Sequence, residues 1–281
     1  MTIGFYSHTQ QLGGSEVYLK ILLPRAVEHY KTVLFYCNRA HPLLTDEQIK
    51  RFIEAGQIKV VCIKEDKEEK GQVSKDNHPS NQERRGVSPK EIILKLIPRS
   101  VKLYLGTKKE IQRIKTIFEN KPVDLIHFND TGCEPPVISA GLAGIQHITG
   151  TLHVLPAYDK EKTDWVHQWI ERKSLKCMTR IIAVSQAAKE AWAKRTGINP
   201  EKIKVIYNGI DFDKFAGRDG NIKDELNLKN ELVIGVPARL HPMKGHTYFI
   251  KAIPIIKEKV GSVKVLFLGE GPIRKELEAE V

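Results

Sequence analysis

Short apolar runs alternate with helical patterns along most of the 281-residue chain. The runs at residues 31–37 and 58–63 are predicted strands that each follow a helical or loop stretch, as a parallel sheet requires. The alternation restarts with a strand at 231–239, a helix at 244–257 and a strand at 263–268. The sequence therefore predicts an α/β fold.

Length and local composition divide the chain into two parts. A typical domain has roughly 100 to 200 residues, so this length predicts about two. Residues 1–210 form the predicted N-terminal domain, and the polar, irregular segment 211–230 is a predicted linker. Residues 231–281 have room for only two βα units, which is too little for a complete doubly wound domain. We therefore expect an incomplete C-terminal domain, and a chain that is a fragment.

Residues 64–90 differ in composition from the rest of the first domain. They are rich in both charges and poor in apolar residues. Charged stretches of this kind are normally solvated. The segment is predicted to be a mobile surface insertion without chemistry of its own.

A glycine turn follows the first predicted strand. Gly13 and Gly14 allow a ligand to approach the backbone closely, and Ser15 is predicted to cap the following helix. Ser185 is placed to cap the helix at 186–194 in the same way. A turn with a purely structural role fits Gly13 and Gly14 equally well.

A second candidate site follows the predicted strand at 231–239. Arg239 and Lys244 lie where this strand passes into a helix, so two cations meet the backbone N–H groups and the positive end of a helix dipole. Arg can hold two phosphate oxygens while Lys acts as a mobile charge, which suits a diphosphate. Two solvated cations on a turn explain this stretch alone equally well.

Polar side chains end two further predicted strands, at residues 123–130 and 147–153. His127 and Asn129 lie near the carboxyl end of the first, and His153 ends the second. Ligands bind at this edge in open α/β sheets. A supporting role behind the ligand contacts is commoner for single polar residues there, and a backbone hydrogen bond is the commoner role for His153.

The net charge of +11 is concentrated in one segment. Residues 90–121 hold nine cations and three acids. Apolar residues recur there at helical spacing, namely Ile111, Ile114, Ile117 and Phe118. A basic amphipathic helix on anionic lipid is one interpretation, and an ordinary surface helix with its apolar face on the core is the favoured one.

Several classes of protein are not indicated. No apolar run approaches the roughly 20 residues of a membrane span, and residues 1–8 lack the features of a signal peptide, so a cytoplasmic location is expected. Four well separated cysteines, Cys37, Cys62, Cys133 and Cys177, argue against a zinc site or a disulfide framework. No nucleic-acid motif is recognisable, so nucleic acid is not an expected partner.

Six short motifs occur in one order along the chain. They are Gly-Gly-Ser-Glu at 13–16, Thr-x-His at 151–153, Ile-Ala-Val-Ser at 182–185, Tyr-Asn-Gly-Ile-Asp at 207–211, Gly-x-Pro-Ala-Arg-Leu-x-x-x-Lys-Gly at 235–245 and Leu-Gly-Glu-Gly-Pro at 268–272. The ordered set resembles the family 4 glycosyltransferases. The resemblance implies GT-B architecture, in which two Rossmann-like domains face each other across a cleft.

The resemblance also implies roles for individual residues. Arg239 and Lys244 would bind the diphosphate of a nucleotide-sugar donor, and His153 would stand at the reacting sugar as the catalytic residue. The other implied roles are donor-phosphate binding for Gly13 and Gly14, a nucleotide loop for Gly269, Glu270 and Gly271, an acceptor side formed by Ser15, Glu16, His127 and Asn129, and a hinge formed by Asn208, Gly209 and Asp211.

The implied activity is retaining transfer of a sugar from a UDP- or GDP-type donor to an acceptor hydroxyl on a glycan or lipid, as in the synthesis of cell-surface polysaccharides or glycolipids. Cationic and helix-terminal groups would stabilise the departing diphosphate. Neither a metal nor another cofactor is implied. Two alternatives remain: a non-catalytic remnant that binds acceptor or membrane, and a sugar-phosphate synthase or phosphorylase on the same fold.

The chain departs from the family's pattern at one point. The family carries a Glu-x7-Glu element further along the second domain, and this chain ends before it. Glu270 and Glu278 have the same spacing, but they lie on the earlier glycine turn and the helix after it. We expect that spacing to be coincidental.

Overall fold

The computed structural model describes residues 1–9, 12–63, 97–129, 133–156, 165–210, 212–214, 216, 222–226, 228 and 231–281. The predicted charged insertion at 64–90 and half of the predicted linker at 211–230, including Asp211, lie outside the described residues. The chain divides into two compact units, Met1–Gly209 and Ile210–Val281.

The first unit is built on a sheet of seven described strands in the order β3-β2-β1-β4-β5-β6-β7, all parallel. The strands are β1 Thr2–Ser7, β2 Thr32–Cys37, β3 Ile58–Cys62, β4 Leu125–Phe128, β5 His147–Leu152, β6 Arg180–Ala183 and β7 Ile203–Val205. The strand order reverses beside β1, which pairs with β2 on one side and β4 on the other. Such a switch point opens a crevice at the carboxyl ends of the strands.

Six helices of the described residues cover both faces of this sheet. They are α1 Gly14–His29, α2 Glu47–Glu54, α3 Arg99–Asn120, α4 Glu134–Leu142, α5 Trp165–Cys177 and α6 Gln186–Thr196, with 3₁₀ turns at Pro42–Leu44 and Pro200–Lys202. In β2, every residue from Val33 to Cys37 is buried, because both of its faces are covered. Ser185 caps α6 by accepting a hydrogen bond from the N–H of Ala188, as predicted.

The two faces carry separate cores. On one face, Leu19 and Leu23 of α1 pack against Phe35 of β2. On the other face, Ile114 and Phe118 of α3 pack with residues of β2 and β4. The apolar side of α3 therefore lies on the core, which confirms the favoured interpretation of an ordinary surface helix and leaves this side unavailable to lipid.

The described part of the second unit contains two parallel strands, β8 Leu232–Pro237 and β9 Val263–Leu268. Two helices accompany them, α7 His246–Val260 and α8 Arg274–Glu280. The remaining regular pieces are 3₁₀ turns at Phe212–Lys214 and Pro242–Lys244 and one helical turn at Ile222–Glu225. Its small core consists of Leu240, Ile250, Ile273 and Leu277 packed with Phe267.

Among the helices of the described segments, none combines sufficient length with sufficient hydropathy to span a membrane.

We expect the two sides of α3 to respond differently to truncation. Ile114→Ala should lower the free energy of unfolding by about 2–5 kcal/mol, because it empties a buried site. Leu105→Ala, at a position that is 55% exposed on the same helix, should change it by less than about 0.5 kcal/mol. Urea denaturation followed by circular dichroism measures both. Equal losses would contradict the packing of α3 described here.

Candidate functional site

The turn before α1 is held by a carboxylate. Gly13 is the N-cap of α1, and the buried Glu16 accepts hydrogen bonds from the Gly13 N–H at 2.9 Å and from the Ser15 hydroxyl at 2.8 Å. Ser15 thus lies inside the first helical turn, and the prediction that it caps α1 is wrong. The Glu16 side chain reaches back three residues and satisfies the N-cap backbone instead. The spacing from Gly13 to Glu16 was the sequence signal for this role.

Space is open beside Gly14 but not beside Gly13. A Cβ atom at Gly14 would have no described atom within 4 Å, whereas one at Gly13 would lie 3.1 Å from Glu16 Oε2, which is a crowded contact. Packing against the described residues therefore does not require glycine at position 14. The first N–H groups of a helix have no partner within the helix, so a ligand placed here reaches backbone donors.

The ends of β4 and β5 both contact α1. Asn129 is fully buried, and its Nδ2 donates a hydrogen bond of 2.8 Å to the carbonyl of Ser15. The half-buried His153 lies edge-on to Tyr18, with 5.3 Å between the ring centroids. The structure therefore brings Ser15, Asn129 and His153 together at the carboxyl edge. Sequence reasoning missed Tyr18, although its spacing of three residues from Ser15 places both on one helix side.

His127 lies below this edge, inside the sheet. Its Nδ1 is 2.9 Å from the Thr149 hydroxyl, and its Nε2 is 3.2 Å from the Thr151 hydroxyl. Because Thr149 donates its proton to the Ile126 carbonyl, it accepts from Nδ1–H, and Thr151 donates to Nε2. Both ring nitrogens are thus engaged by strand β5, and the buried ring supports the edge rather than reaching a ligand.

The environment of His127 favours the neutral ring. Burial lowers its pKa from 6.5 to about 4, and the nearby His153 adds a smaller lowering by charge repulsion. The Nδ1–H tautomer described above is the neutral form that both threonine hydroxyls require. His127 is therefore a fixed hydrogen-bonding group and not a proton carrier near neutral pH.

Two residues that were not singled out from the sequence brace the neighbouring loops. Asn38 Nδ2 donates to the His8 carbonyl at 2.6 Å, joining the segments after β2 and β1. His41 Nε2 lies 3.1 Å from the Ser7 hydroxyl, and its Nδ1 accepts from the Leu43 N–H. These contacts fix the end of β1, from which the chain leads to the glycine turn.

In the second unit, Arg239 lies on a loop that is locked to the glycine loop 269–271. The Leu240 N–H donates to the Glu270 carbonyl at 3.0 Å. A Cβ atom would lie 2.2 Å from the Ala238 oxygen if placed on Gly269, and 2.0 Å from the Leu240 oxygen if placed on Gly271. Only glycine permits this backbone contact, so both glycines are needed to hold the Arg239 loop against the end of β9.

The sequence predicted that the helix begins at Lys244, but the structure places Lys244 before it. Lys244 ends the 3₁₀ turn Pro242–Lys244, and Gly245 follows with a φ of 74°. Helix α7 then starts at His246. Arg239 and Lys244 are both exposed on the segment between β8 and α7. The two cations thus lie on one connection before a helix N-terminus, which is an arrangement suited to phosphate.

Glu270 and Glu278 share one partner. Arg274 contacts Glu270 at 2.5 Å and Glu278 at 2.8 Å, and all three side chains are exposed. Their common spacing is therefore explained by an ion pair along α8. The Glu270 backbone, through its carbonyl, is the part that holds the Arg239 loop.

Two remaining expectations concern the hinge and metals. Asn208 and Gly209 are exposed at the end of the first unit, next to its boundary at Gly209. The third expected hinge residue, Asp211, lies outside the described residues.

In the described part of the chain, no group of three or more His, Cys, Asp or Glu side chains is arranged to hold a metal ion.

We expect His127 to remain neutral well below its ordinary pKa. Between pH 6.5 and about 4, the unfolded chain binds a proton that the native ring does not, so stability falls as the pH is lowered through this window. The free energy of unfolding should fall by up to about 1.4 kcal/mol per pH unit, and His127→Gln should remove this pH dependence. NMR titration of the ring and urea denaturation at several pH values measure these effects. Protonation of the ring near pH 6.5 would contradict the buried geometry.

The proteins that are similar to this chain in sequence include a bacterial and a yeast glycosyltransferase. An Escherichia coli UDP-Gal:alpha-D-GlcNAc-diphosphoundecaprenol alpha-1,3-galactosyltransferase is 30% identical over 190 residues, covering 64% of this chain and 49% of that protein. A phosphatidylinositol N-acetylglucosaminyltransferase subunit of Saccharomyces cerevisiae is 27% identical over 164 residues, covering 57% of this chain and 36% of that protein. The chain therefore spans about half the length of the curated relatives, or less.

Solved structures share the fold. HepE of Anabaena, solved in complex with UDP, gives a TM-score of 0.61 at 19% identity, over 100% of this chain and 65% of that one. The lipopolysaccharide outer core galactosyltransferase WaaB gives 0.56 at 15% identity, over 100% and 64%. At these identities the likeness concerns the fold, and it confirms the predicted α/β GT-B class.

The family assignment follows from the sequence of the first unit. The sequence model of Glycosyltransferase Family 4 matches residues 12–214, which is well over half of the chain. The matched region begins just before the turn at Gly13 and includes Asn129 and His153. This chain belongs to Glycosyltransferase Family 4.

Proposed function

We propose that this protein transfers a sugar from a nucleotide-sugar donor to an acceptor hydroxyl, with retention of configuration. The observation that carries the proposal is the pair of interlocked loops in the second unit. Gly269 and Gly271 hold the connection after β8 in place, and that connection carries Arg239 and Lys244 in front of α7. Geometry of this kind binds a diphosphate.

The two cations would act mainly on the leaving group. As the bond to the sugar breaks, negative charge builds up on the diphosphate, and positively charged groups already in place stabilise it without reorganisation. Arg239 offers two parallel N–H donors to phosphate oxygens, and Lys244 adds a point charge. Neither a metal nor another cofactor is part of this proposal.

We propose UDP rather than GDP as the nucleotide. The Escherichia coli relative is named for UDP-Gal, and HepE was solved with UDP. In this chain, the glycine loop 269–271 beside Arg239 would lie next to the nucleotide, contributing its backbone because Glu270 directs its side chain to Arg274.

The acceptor belongs to the carboxyl edge of the first unit. Both relatives have names that include a lipid-borne acceptor, a diphosphoundecaprenol sugar in one and a phosphatidylinositol in the other. We therefore propose a lipid-linked sugar or lipid. Gly13, Gly14 and Ser15 would present backbone and hydroxyl groups, while Glu16 and Asn129 hold the turn in shape.

His153 is the proposed catalytic residue. It follows β5 at the same edge, and its ring is positioned against Tyr18 of α1. A polar ring there would contact the reacting sugar and stabilise charge in the transition state. His127 supports it from below by binding both Thr149 and Thr151 of the strand that leads to His153.

A cytoplasmic location completes the proposal. All four cysteines are described, and none of them is paired in a disulfide. Cys37 is buried, and burial raises the pKa of its thiol to about 12, with the neighbouring Cys62 adding to the rise. Thiols of this kind persist in a reducing compartment.

We expect the loss of either donor-site cation to weaken catalysis. Arg239→Ala and Lys244→Ala should each lower kcat/KM for a UDP-sugar by roughly 10- to 100-fold, the effect of removing one charged hydrogen bond. Arg239→Lys should recover only part of the loss, because Lys lacks the two-pronged donor. Lys257→Ala, in the last turn of α7, is the control. UDP release by the protein measures all four, and unchanged turnover in the first two would contradict the site.

Gly14 provides a second test. Gly14→Ala adds a methyl group in open space, so the free energy of unfolding should stay the same or rise by up to about 1 kcal/mol. If a ligand approaches this backbone, kcat/KM should fall by about 10-fold or more.

Gly106→Ala is the matched control for this change. Gly106 lies in α3 and also has no atom near the added Cβ, so the same stability gain is expected without loss of turnover. Thermal denaturation and UDP release are measured on both variants. A Gly14→Ala protein as active as the Gly106→Ala protein would exclude a ligand at this turn.

A further inference from the structure

Three aromatic rings form a cluster at the surface between α3 and α5. Tyr104 lies 5.7 Å from Trp165 and 5.6 Å from Trp169, measured between ring centroids. Trp165 remains 55% exposed, whereas its neighbours Val166 and Ile170 on α5 are buried. The core side of α5 is therefore filled by other residues, and Trp165 is held outward.

Apolar residues extend this surface along the outer side of α3. Val101 and Leu105 are one helical turn apart and are 38% and 55% exposed. They lie on a different side of α3 from Ile111, Ile114 and Phe118, which are in the core. Helix α3 thus carries two apolar sides, one buried in the protein and one exposed in its N-terminal half.

Cations surround the exposed aromatic and apolar residues. The ammonium of Lys108 lies 4.8 Å above the Tyr104 ring, and that of Lys173 lies 5.1 Å above Trp169. Further exposed cations on the same two helices are Lys102, Lys109, Arg172 and Lys176. The surface therefore combines amphipathic rings with a strong excess of positive charge.

The carboxylates of these helices are bound elsewhere. α3 and α5 contain three acidic residues, Glu110, Glu119 and Glu171. Their partners are Arg113, Lys115 and Arg195, respectively. None of these three partners belongs to the group of six cations named above. The positive charge beside the aromatic cluster is thus directed outward.

We propose that the outer sides of α3 and α5 dock on the surface of an anionic lipid bilayer. Trp and Tyr favour the boundary between headgroups and acyl chains, because each has an apolar body and a polar edge. Val101 and Leu105 would enter this layer shallowly, and the lysines would bind anionic headgroups. Charge complementarity selects this partner, since the exposed cations flank the aromatic rings while the three carboxylates of these helices are paired with other cations.

This surface differs from the one that the sequence suggested. In the less favoured interpretation of residues 90–121, lipid would contact Ile111, Ile114, Ile117 and Phe118, but α3 uses that side for the core. Two residues of the new surface, Trp165 and Trp169, come from α5. Docking does not depend on the proposed transferase activity, although it would bring a transferase to a lipid-linked acceptor.

Vesicle binding tests the proposal directly. We expect the protein to sediment with vesicles of phosphatidylcholine mixed with phosphatidylglycerol, to bind phosphatidylcholine alone much more weakly, and to dissociate at high salt. Tryptophan emission should shift to shorter wavelength on binding, because Trp165 enters the interface and the third tryptophan, Trp192, is already buried. Equal binding to both kinds of vesicle would overturn the charge argument.

Two variants separate charge from apolar contact. Lys108→Glu with Lys109→Glu should lower the affinity for anionic vesicles by roughly 10- to 100-fold. Trp165→Ala with Leu105→Ala should lower it by about 10-fold and abolish most of the emission shift. Circular dichroism verifies folding of each variant, and UDP release with a water-soluble acceptor should stay unchanged, which separates this proposal from the proposed function.

The matched control reverses the same amount of charge on the opposite side of the sheet. Lys50 and Arg51 lie on α2, which packs on the other core, and Lys50→Glu with Arg51→Glu should leave vesicle binding unchanged. An equal loss of vesicle binding in this control would show that binding depends only on the net charge of the protein. That result would overturn the proposal. Tighter binding to single-stranded RNA than to vesicles, lost in the Lys108 and Lys109 variant, would assign the surface to nucleic acid instead.

Discussion

The pairing of β1 with β2 on one side and with β4 on the other is the interaction on which the first unit depends. Because all seven described strands are parallel, their carboxyl ends lie at one edge. The reversal of strand order beside β1 places the turn before α1 next to the ends of β4 and β5. Asn129 and His153 can therefore reach α1 although they are far from it in sequence.

A second constraint is steric and acts through the backbone. In the second unit, the loops after β8 and β9 approach so closely that a Cβ at Gly269 or Gly271 would overlap a carbonyl oxygen. The contact fixes the course of the chain around Arg239 without using any side chain. In the first unit, Gly14 has open space around it. The two glycine motifs therefore have different roles: Gly269 and Gly271 permit a close backbone contact, and Gly14 leaves room beside the start of α1.

Helix α3 shows how one segment can satisfy two environments. Ile114 and Phe118 fill the core of the sheet, while Val101 and Leu105 face outward with lysines around them. A count of apolar residues at helical spacing identifies only the first group. The second becomes apparent when Trp165 and Trp169 of α5 are placed beside Tyr104. Aromatic rings from different helices then define a surface with its own chemistry.

The sequence by itself determined the α/β class, the family and most strands, including the one at residues 263–268, whose bounds agree with β9. It also identified the Ser185 cap, because capping depends on neighbours in the chain. Only the tertiary structure decided that Asn129 reaches the Ser15 carbonyl of α1, and that His127 is enclosed by Thr149 and Thr151. Periodicity and turn residues record interactions within a few residues, whereas the burial of a side chain and the state of a titratable ring depend on which distant strands and helices pack around it.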